Sequence, residues 1–138
     1  MDEKYLKKVL TAKLRKTRPN WVVLRIETGE TTAGVPDLLV VGEGFTSLWE
    51  GKYANPDFKS KGIQELTCLR LDRAGYCRYI VWQELDETKR TLIMKPSEMH
   101  NWTDLNLIPE NANFYDDTHF NMEWIIDYII KVHNDHRR

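Results

Sequence analysis

Cysteine is scarce in this chain: 138 residues hold two, Cys68 and Cys77. Two cysteines on a predicted helix and strand exclude a disulfide framework or a zinc cluster, and read as buried thiols in a reducing compartment. No run of 18 apolar residues exists, so no membrane-spanning helix is expected. The first residues, Met-Asp-Glu-Lys, lack the apolar core of a signal peptide, so the expected location is the cytoplasm, or the host cytoplasm if the chain is phage-encoded. Internal repeats and low-complexity segments are missing. Net charge is also nearly missing, at -1, which argues against a uniformly polycationic nucleic-acid binder. What is present is a 41% hydrophobic fraction with five Trp and six Tyr. That composition excludes disorder and suits one domain with one core. The domain is expected to span 1–138, with a core over about 3–96 and a C-terminal extension over about 97–138.

The small net charge hides an uneven distribution. Residues 1–26 carry eight basic and two acidic side chains, and residues 27–58 carry one basic and six acidic. Residues 59–78 carry five basic and two acidic, and residues 79–138 carry six basic and eleven acidic. An acidic segment is thus flanked by two basic ones. A metal site needs the first, and a phosphate backbone favours the second. A merely solvated basic helix accounts for the N-terminal run equally well.

Residues 3–16 place Leu6, Val9, Leu10 and Leu14 at helical spacing with lysines opposite, and Pro19-Asn20 ends the helix. Trp21 to Glu27 reads as a strand, followed by a loop to Val35. Residues 37–42 and 47–54 read as an antiparallel hairpin joined by Glu43-Gly-Phe-Thr. A polar loop from Asn55, with Ser60 as a candidate cap, leads to a helix over 62–74 that stops at Gly75. Residues 77–82 form a strand, and strand–helix–strand order implies a parallel neighbour for it. Residues 90–95 pair with 78–84 through an Asp86-Glu87 turn, and Pro96-Ser97-Glu98 opens a short helix. Residues 103–119 read as irregular, and 120–134 as a C-terminal helix. That helix is apolar on more than one side. Trp124, Tyr128 and Ile130 supply a candidate subunit interface, unless the helix is wedged between the sheet and the segment before it.

The chemistry concentrates in Gly34-Val-Pro-Asp37 and Glu50-Gly-Lys52. Side chains alternate along a strand, so Glu50 and Lys52 share a face. Two carboxylates and an ammonium on a hairpin can bind a hard divalent cation and activate a water beside it. Asp37 could instead cap a turn after Pro36. Glu50 has no such excuse, because glutamate inside a strand is disfavoured without a role. A plain Glu50–Lys52 ion pair is the bland alternative. Gln64 falls on the helix arc that should face the sheet, where its amide needs a partner.

This order of elements, with Asp37 and Glu50-Gly-Lys52 on the hairpin, resembles the PD-(D/E)XK nuclease superfamily. Gly34-Val-Pro-Asp37, Glu50-Gly-Lys52, Gln64 and Gly75 narrow the resemblance to VRR-NUC nucleases and the small Holliday-junction resolvases. It covers roughly residues 3 to 82. Gly51 departs from the pattern, which has an apolar residue there, and puts the regularity of the strand in question. The resemblance implies an α/β fold: a central mixed β-sheet flanked by helices, a restriction-endonuclease-like core with a C-terminal helical extension. It implies Asp37 and Glu50 as ligands of Mg²⁺ or Mn²⁺, with the Gly51 region contributing a carbonyl. Lys52 would orient or deprotonate the attacking water or stabilise charge on phosphate, and Gln64 would help position it. Glu3 resembles an acidic ligand on the first helix, although an acidic residue at a helix N-terminus is ordinary. Glu27 and Glu30 are rival donors. Arg25 matches a frequent arginine before the motif. Lys7, Lys8, Lys59 and Lys61 are candidate phosphate contacts. His100, His119, His133 and His136 lie late in the chain and are expected to be solvated.

The implied activity is metal-dependent hydrolysis of DNA phosphodiesters, on branched or four-way junction DNA, with a homodimer suiting the junction's symmetry. The rival class is a nucleic-acid- or protein-binding module that keeps the fold without turnover. Metal binding separates the two.

Overall fold

A computed structural model describes residues 2–26, 35–55, 62–99 and 113–137. The elements in chain order are α1 (Glu3–Thr17), β1 (Val22–Arg25), β2 (Leu38–Gly42), β3 (Phe45–Ala54) and α2 (Gly62–Ala74). They continue with β4 (Cys77–Glu84), β5 (Lys89–Met94), α3 (Pro96–Met99), β6 (Asn113–Asp117) and α4 (Met122–Asp135). The six strands form one sheet in the order β1-β2-β3-β4-β5-β6. The β3–β4 pair is parallel and the other pairs are antiparallel. The fold is therefore α/β with a mixed sheet.

Helices cover both faces of the sheet. On one face Leu6, Leu10 and Leu14 of α1 and Ile125, Ile126 and Ile129 of α4 pack on Val40, Trp49, Ile80 and Trp82. On the other, Cys68 and Leu71 of α2 and Met99 of α3 pack on Cys77, Tyr79, Val81, Leu92 and Met94. The alternation of Tyr79 and Val81 with Ile80 and Trp82 along β4 is what supplies both layers. Asp2 caps α1 by accepting from the Tyr5 amide at 2.8 Å. At the other end of α2, the Gly75 amide returns to the Leu71 carbonyl at 2.9 Å. Cys68 and Cys77 are buried and unbridged.

Three sequence expectations need correction. The β2–β3 connection is two residues, not four: Glu43 and Gly44 both take positive φ, at 57° and 71°. Two left-handed residues reverse the chain with a twist that matches the strands, so β3 starts at Phe45. Secondly, part of the segment read as irregular is β6, which extends the sheet edge beside β5. Its sequence Asn-Phe-Tyr-Asp-Asp is almost wholly exposed and lacks the alternation that marks a half-buried strand. Of the two alternatives for α4, the wedged helix is the one found: its apolar surplus is used within the chain. Ile130 is buried in the core, and Trp124 and Tyr128 pack partly buried against it. Tyr115 of β6 stacks 6.2 Å from Trp124, and Asn113 donates to the Tyr128 hydroxyl.

The third correction concerns His133, expected in solvent and found fully buried. Its Nδ1 lies 2.9 Å from the Gly42 carbonyl, which can only accept, so Nδ1 carries the proton. Nε2 then accepts from the Ser47 hydroxyl at 2.7 Å, and Ser47 Oγ accepts from Trp49 Nε1 at 2.7 Å. The relay uses every polar atom and ties α4 to the β2–β3 hairpin. Burial holds the His133 pKa below the usual 6.5, opposed by the bond to Gly42. The unfolded chain therefore takes up a proton at higher pH than the folded chain. The relay's stabilisation is complete above pH 6.5 and declines as pH falls towards the folded pKa. His133→Ala should cost about 2–4 kcal/mol at pH 7.5, from the cavity and the orphaned polar groups. In thermal melts, the gap to wild type should narrow as the pH drops below 6.5. A gap independent of pH would mean that His133 does not titrate on unfolding.

Candidate active site

β2 ends at Leu38, paired with Trp49, while β3 runs on to Ala54. Beyond that point β3 keeps its parallel neighbour β4 but has lost its partner on the β2 side. Strand amides left this way need acceptors. Two carboxylates supply them. Asp37 Oδ2 accepts from the Gly51 amide at 3.0 Å, and Glu3 Oε2 from the Tyr53 amide at 3.0 Å. The step between a short strand and a long one thus draws both acids to one place.

Glu50 and Lys52 project from this stretch of β3 toward the α2 layer, as alternation predicts. Lys52 Nζ lies 3.4 Å from Glu50 Oε1, and the same oxygen accepts from Gln64 Nε2 at 2.8 Å. Gln64 therefore finds its partner in the site, on Glu50. From the opposite layer, α1 brings Lys7, whose ammonium lies 2.8 Å from Asp37 Oδ2 and 2.9 Å from Glu3 Oε1. Asp37, at the strand end, lies between the two sets. An open cleft of about 670 Å³ beside it is lined by Glu3, Lys4, Lys7, Arg25, Ile26 and Asp37.

The electrostatics single out Glu50. Its side chain is 2% exposed, and among the described residues Oε2 has no donor. Burial first, then the charge of Asp37, push its carboxyl up to about 9, against the opposing pull of Lys52 and Lys7. Two carboxyls are held together in a place that disfavours charge on both. Lys7 shows the reverse balance: burial lowers its pKa, but Asp37 and Glu3 together leave it raised.

A divalent cation fits this donor set. Glu50 Oε2 is a buried hard oxygen without a partner, Asp37 is adjacent, and such oxygens are what Mg²⁺ and Mn²⁺ accept. Among the described residues no three His, Cys, Asp or Glu side chains converge on one point. Glu3 accordingly reaches the site through Lys7 and the Tyr53 amide and does not complete a triad with Asp37 and Glu50.

Lys7, expected as a phosphate contact, does not lie on an open helix face. Its side chain is 17% exposed and belongs to the carboxylate cluster. The signal that could have found it is its i,i+4 spacing from Glu3 on the Leu6–Leu10 side of α1. Lys8 is exposed, and Arg25 is exposed at the mouth of the cleft, so both can meet a phosphate. Lys59, Lys61, Ser60, Glu27, Glu30, Gly34 and His100 lie outside the described residues. Gly51 leaves β3 regular, pairing with Ile80 in register. A Cβ there would stand 2.8 Å from the Trp82 ring and 3.0 Å from Lys7 Cε, so the residue is small because two side chains cross it.

No family model and no curated protein matches the chain, so the narrower VRR-NUC resemblance rests on the residues alone. The fold is similar to a solved structure, that of the Holliday junction resolvase Hjc of the archaeal hyperthermophile Archaeoglobus fulgidus. The likeness covers 83% of this chain and 88% of that one, with a TM-score of 0.52 and 10% identity. At that identity the similarity is one of fold.

Proposed function

We propose that this chain is a divalent-metal-dependent endonuclease that hydrolyses DNA phosphodiester bonds, with branched or four-way junction DNA as its substrate. The observation that carries the reading is Glu50, a buried carboxylate with an unpartnered oxygen beside Asp37 and Lys52. Without a cation the carboxyl keeps its proton at neutral pH, and a buried acid raised that far beside a second acid is the mark of a functional site. The preference for branched DNA is taken from the resolvase of similar fold. Asp37 and Glu50 would hold Mg²⁺ or Mn²⁺, with the Gly51 carbonyl as a further donor. When bound, the ion supplies a Lewis acid for the phosphate and lowers the pKa of a coordinated water.

The chain's own residues do the rest. Lys52, held 3.4 Å from Glu50, would orient or deprotonate the attacking water or place a positive charge at the scissile phosphate. Gln64 fixes one oxygen of Glu50 and so leaves Oε2 aimed at the site. Arg25 and Lys8 add positive charge for the backbone, and such contacts position the duplex without reading its sequence. A four-way junction would require two active sites of like orientation, which a two-fold dimer provides. Because α4 is committed to the core, that interface would lie elsewhere on the molecule.

Linear, nicked, flapped and four-way DNA, each incubated with and without Mg²⁺, test this. Cleavage is expected to need the cation, to stop with chelator, and to be fastest on a branched substrate. DNA binding without cleavage under every metal condition would assign the binding-module class instead. Full activity in metal-free buffer would remove the metal mechanism.

A further inference from the structure

We propose that Lys7 is a fixed cation of the active site, and that by holding Asp37 and Glu3 it limits the site to one divalent ion. The proposal rests on the metal-dependent reading above and concerns how many ions that site takes.

Lys7 Nζ spans the two carboxylates at 2.8 and 2.9 Å. An ammonium in that position does electrostatically what a second divalent ion would do: it screens two anions from each other. The remaining oxygens are also engaged. Glu3 Oε2 holds the Tyr53 amide, and Asp37 Oδ2 holds the Gly51 amide as well as Lys7. Asp37 Oδ1 and Glu50 Oε2 carry none of these bonds. Two such oxygens suit one ion, with water and phosphate completing its shell. A two-ion site needs carboxylates free to serve positions about 4 Å apart, and here Glu3 and half of Asp37 are already held. The charge balance agrees. With Glu50 protonated, Glu3 and Asp37 balance Lys7 and Lys52, so one dication that displaces the Glu50 proton already leaves the cluster net positive.

Gly51 is the independent observation. The stem of Lys7 crosses β3 where there is no side chain, and a Cβ at Gly51 would press on Lys7 Cε at 3.0 Å and Cγ at 3.3 Å. The same Cβ would press on the Trp82 ring at 2.8 Å, so Gly51 clears the crossing of both side chains. Its position is built, and the residue that departs from the expected apolar type is the one that admits it.

The test counts Mn²⁺ bound per chain, by calorimetry and electron paramagnetic resonance, on the full chain without DNA. Wild type and Lys7→Arg should bind one ion. Lys7→Met keeps the stem over Gly51, frees Glu3 Oε1 and leaves Asp37 Oδ2 with the Gly51 amide alone, and should bind two. Lys7→Gln provides the same loss of charge in a second folded background, with thermal melts confirming the fold of each. A purely structural lysine would change the melting temperature and leave the count alone. One ion in wild type and in both neutral variants overturns the assignment. Two ions in wild type overturn it as well, yet leave metal dependence standing. No Mn²⁺ bound to wild type or to any variant removes both this inference and the metal-dependent reading beneath it.

Discussion

Asp37→Asn and Lys52→Met should each lower cleavage by roughly 10²–10⁴-fold while the melting temperature moves little. Both substitutions keep the bulk of the side chain. Asparagine retains an oxygen for the Gly51 amide and for Lys7, so the capping of β3 survives. Methionine retains the stem of Lys52 but removes the charge 3.4 Å from Glu50. What each change removes is therefore chemistry and not packing. The double variant should be scarcely slower than either single one, because groups acting on one phosphate lose their effect together. Single-turnover rates on a saturating branched substrate measure this. If Lys52→Met cleaves at the wild-type rate, Lys52 is an ion-pair partner and the water must be activated otherwise. Multiplicative losses in the double variant would mean that Asp37 and Lys52 act in separate steps.

Glu50→Gln should abolish cleavage and at the same time stabilise the protein in metal-free buffer. The sign follows from its carboxyl, which burial and Asp37 raise from 4.5 to about 9. Between those values the folded chain keeps a proton that the unfolded chain has released. The wild type is thus most stable, as far as this group matters, below pH 4.5, and loses stability as pH climbs through to about 9. The penalty at pH 7 is on the order of 3–4 kcal/mol, taking 1.4 kcal/mol for each pH unit above 4.5. Glutamine carries no charge, still accepts from Gln64 through its oxygen, and escapes the penalty. Melts of wild type and Glu50→Gln should coincide near pH 4.5 and separate with rising pH, the variant higher. Saturating Mn²⁺ should close the gap by stabilising wild type alone, since binding to the folded state adds to stability. A variant less stable than wild type at pH 8 without metal would show that Glu50 is ionised and well paired in the fold.

Much of this site is written locally. Glu50 and Lys52 share a face because a strand alternates, and no tertiary information is needed to say so. The periodicity of Leu6, Leu10 and Leu14 marks the buried side of α1, and the order of strand, helix and strand foretells the parallel β3–β4 pair. Gln64 could be placed facing the sheet by its position on the helix, but not on Glu50. That contact depends on the register of α2 over β3, which no local pattern encodes.

Lys7 and His133 mark where local reading fails. Both look like surface residues, one in a basic run and one near the chain end. Each is buried by partners distant in sequence: Asp37 and Gly51 for Lys7, Gly42 and Ser47 for His133. β6 failed for the same reason, since its pairing with β5 comes from an edge offering free backbone groups and not from its own alternation.

The sequence alone therefore determined the elements other than β6, the mixed α/β class and the Asp37, Glu50 and Lys52 constellation, because these rest on periodicity and spacing within a few residues. The tertiary structure decided which charges meet. β2 stops short of β3, and the exposed amides of Gly51 and Tyr53 draw in Asp37 and Glu3. The gap left by Gly51 admits Lys7, and burial under α2 leaves Glu50 with an unpartnered oxygen. Long-range register and desolvation set these contacts, and both depend on how the layers close over the sheet.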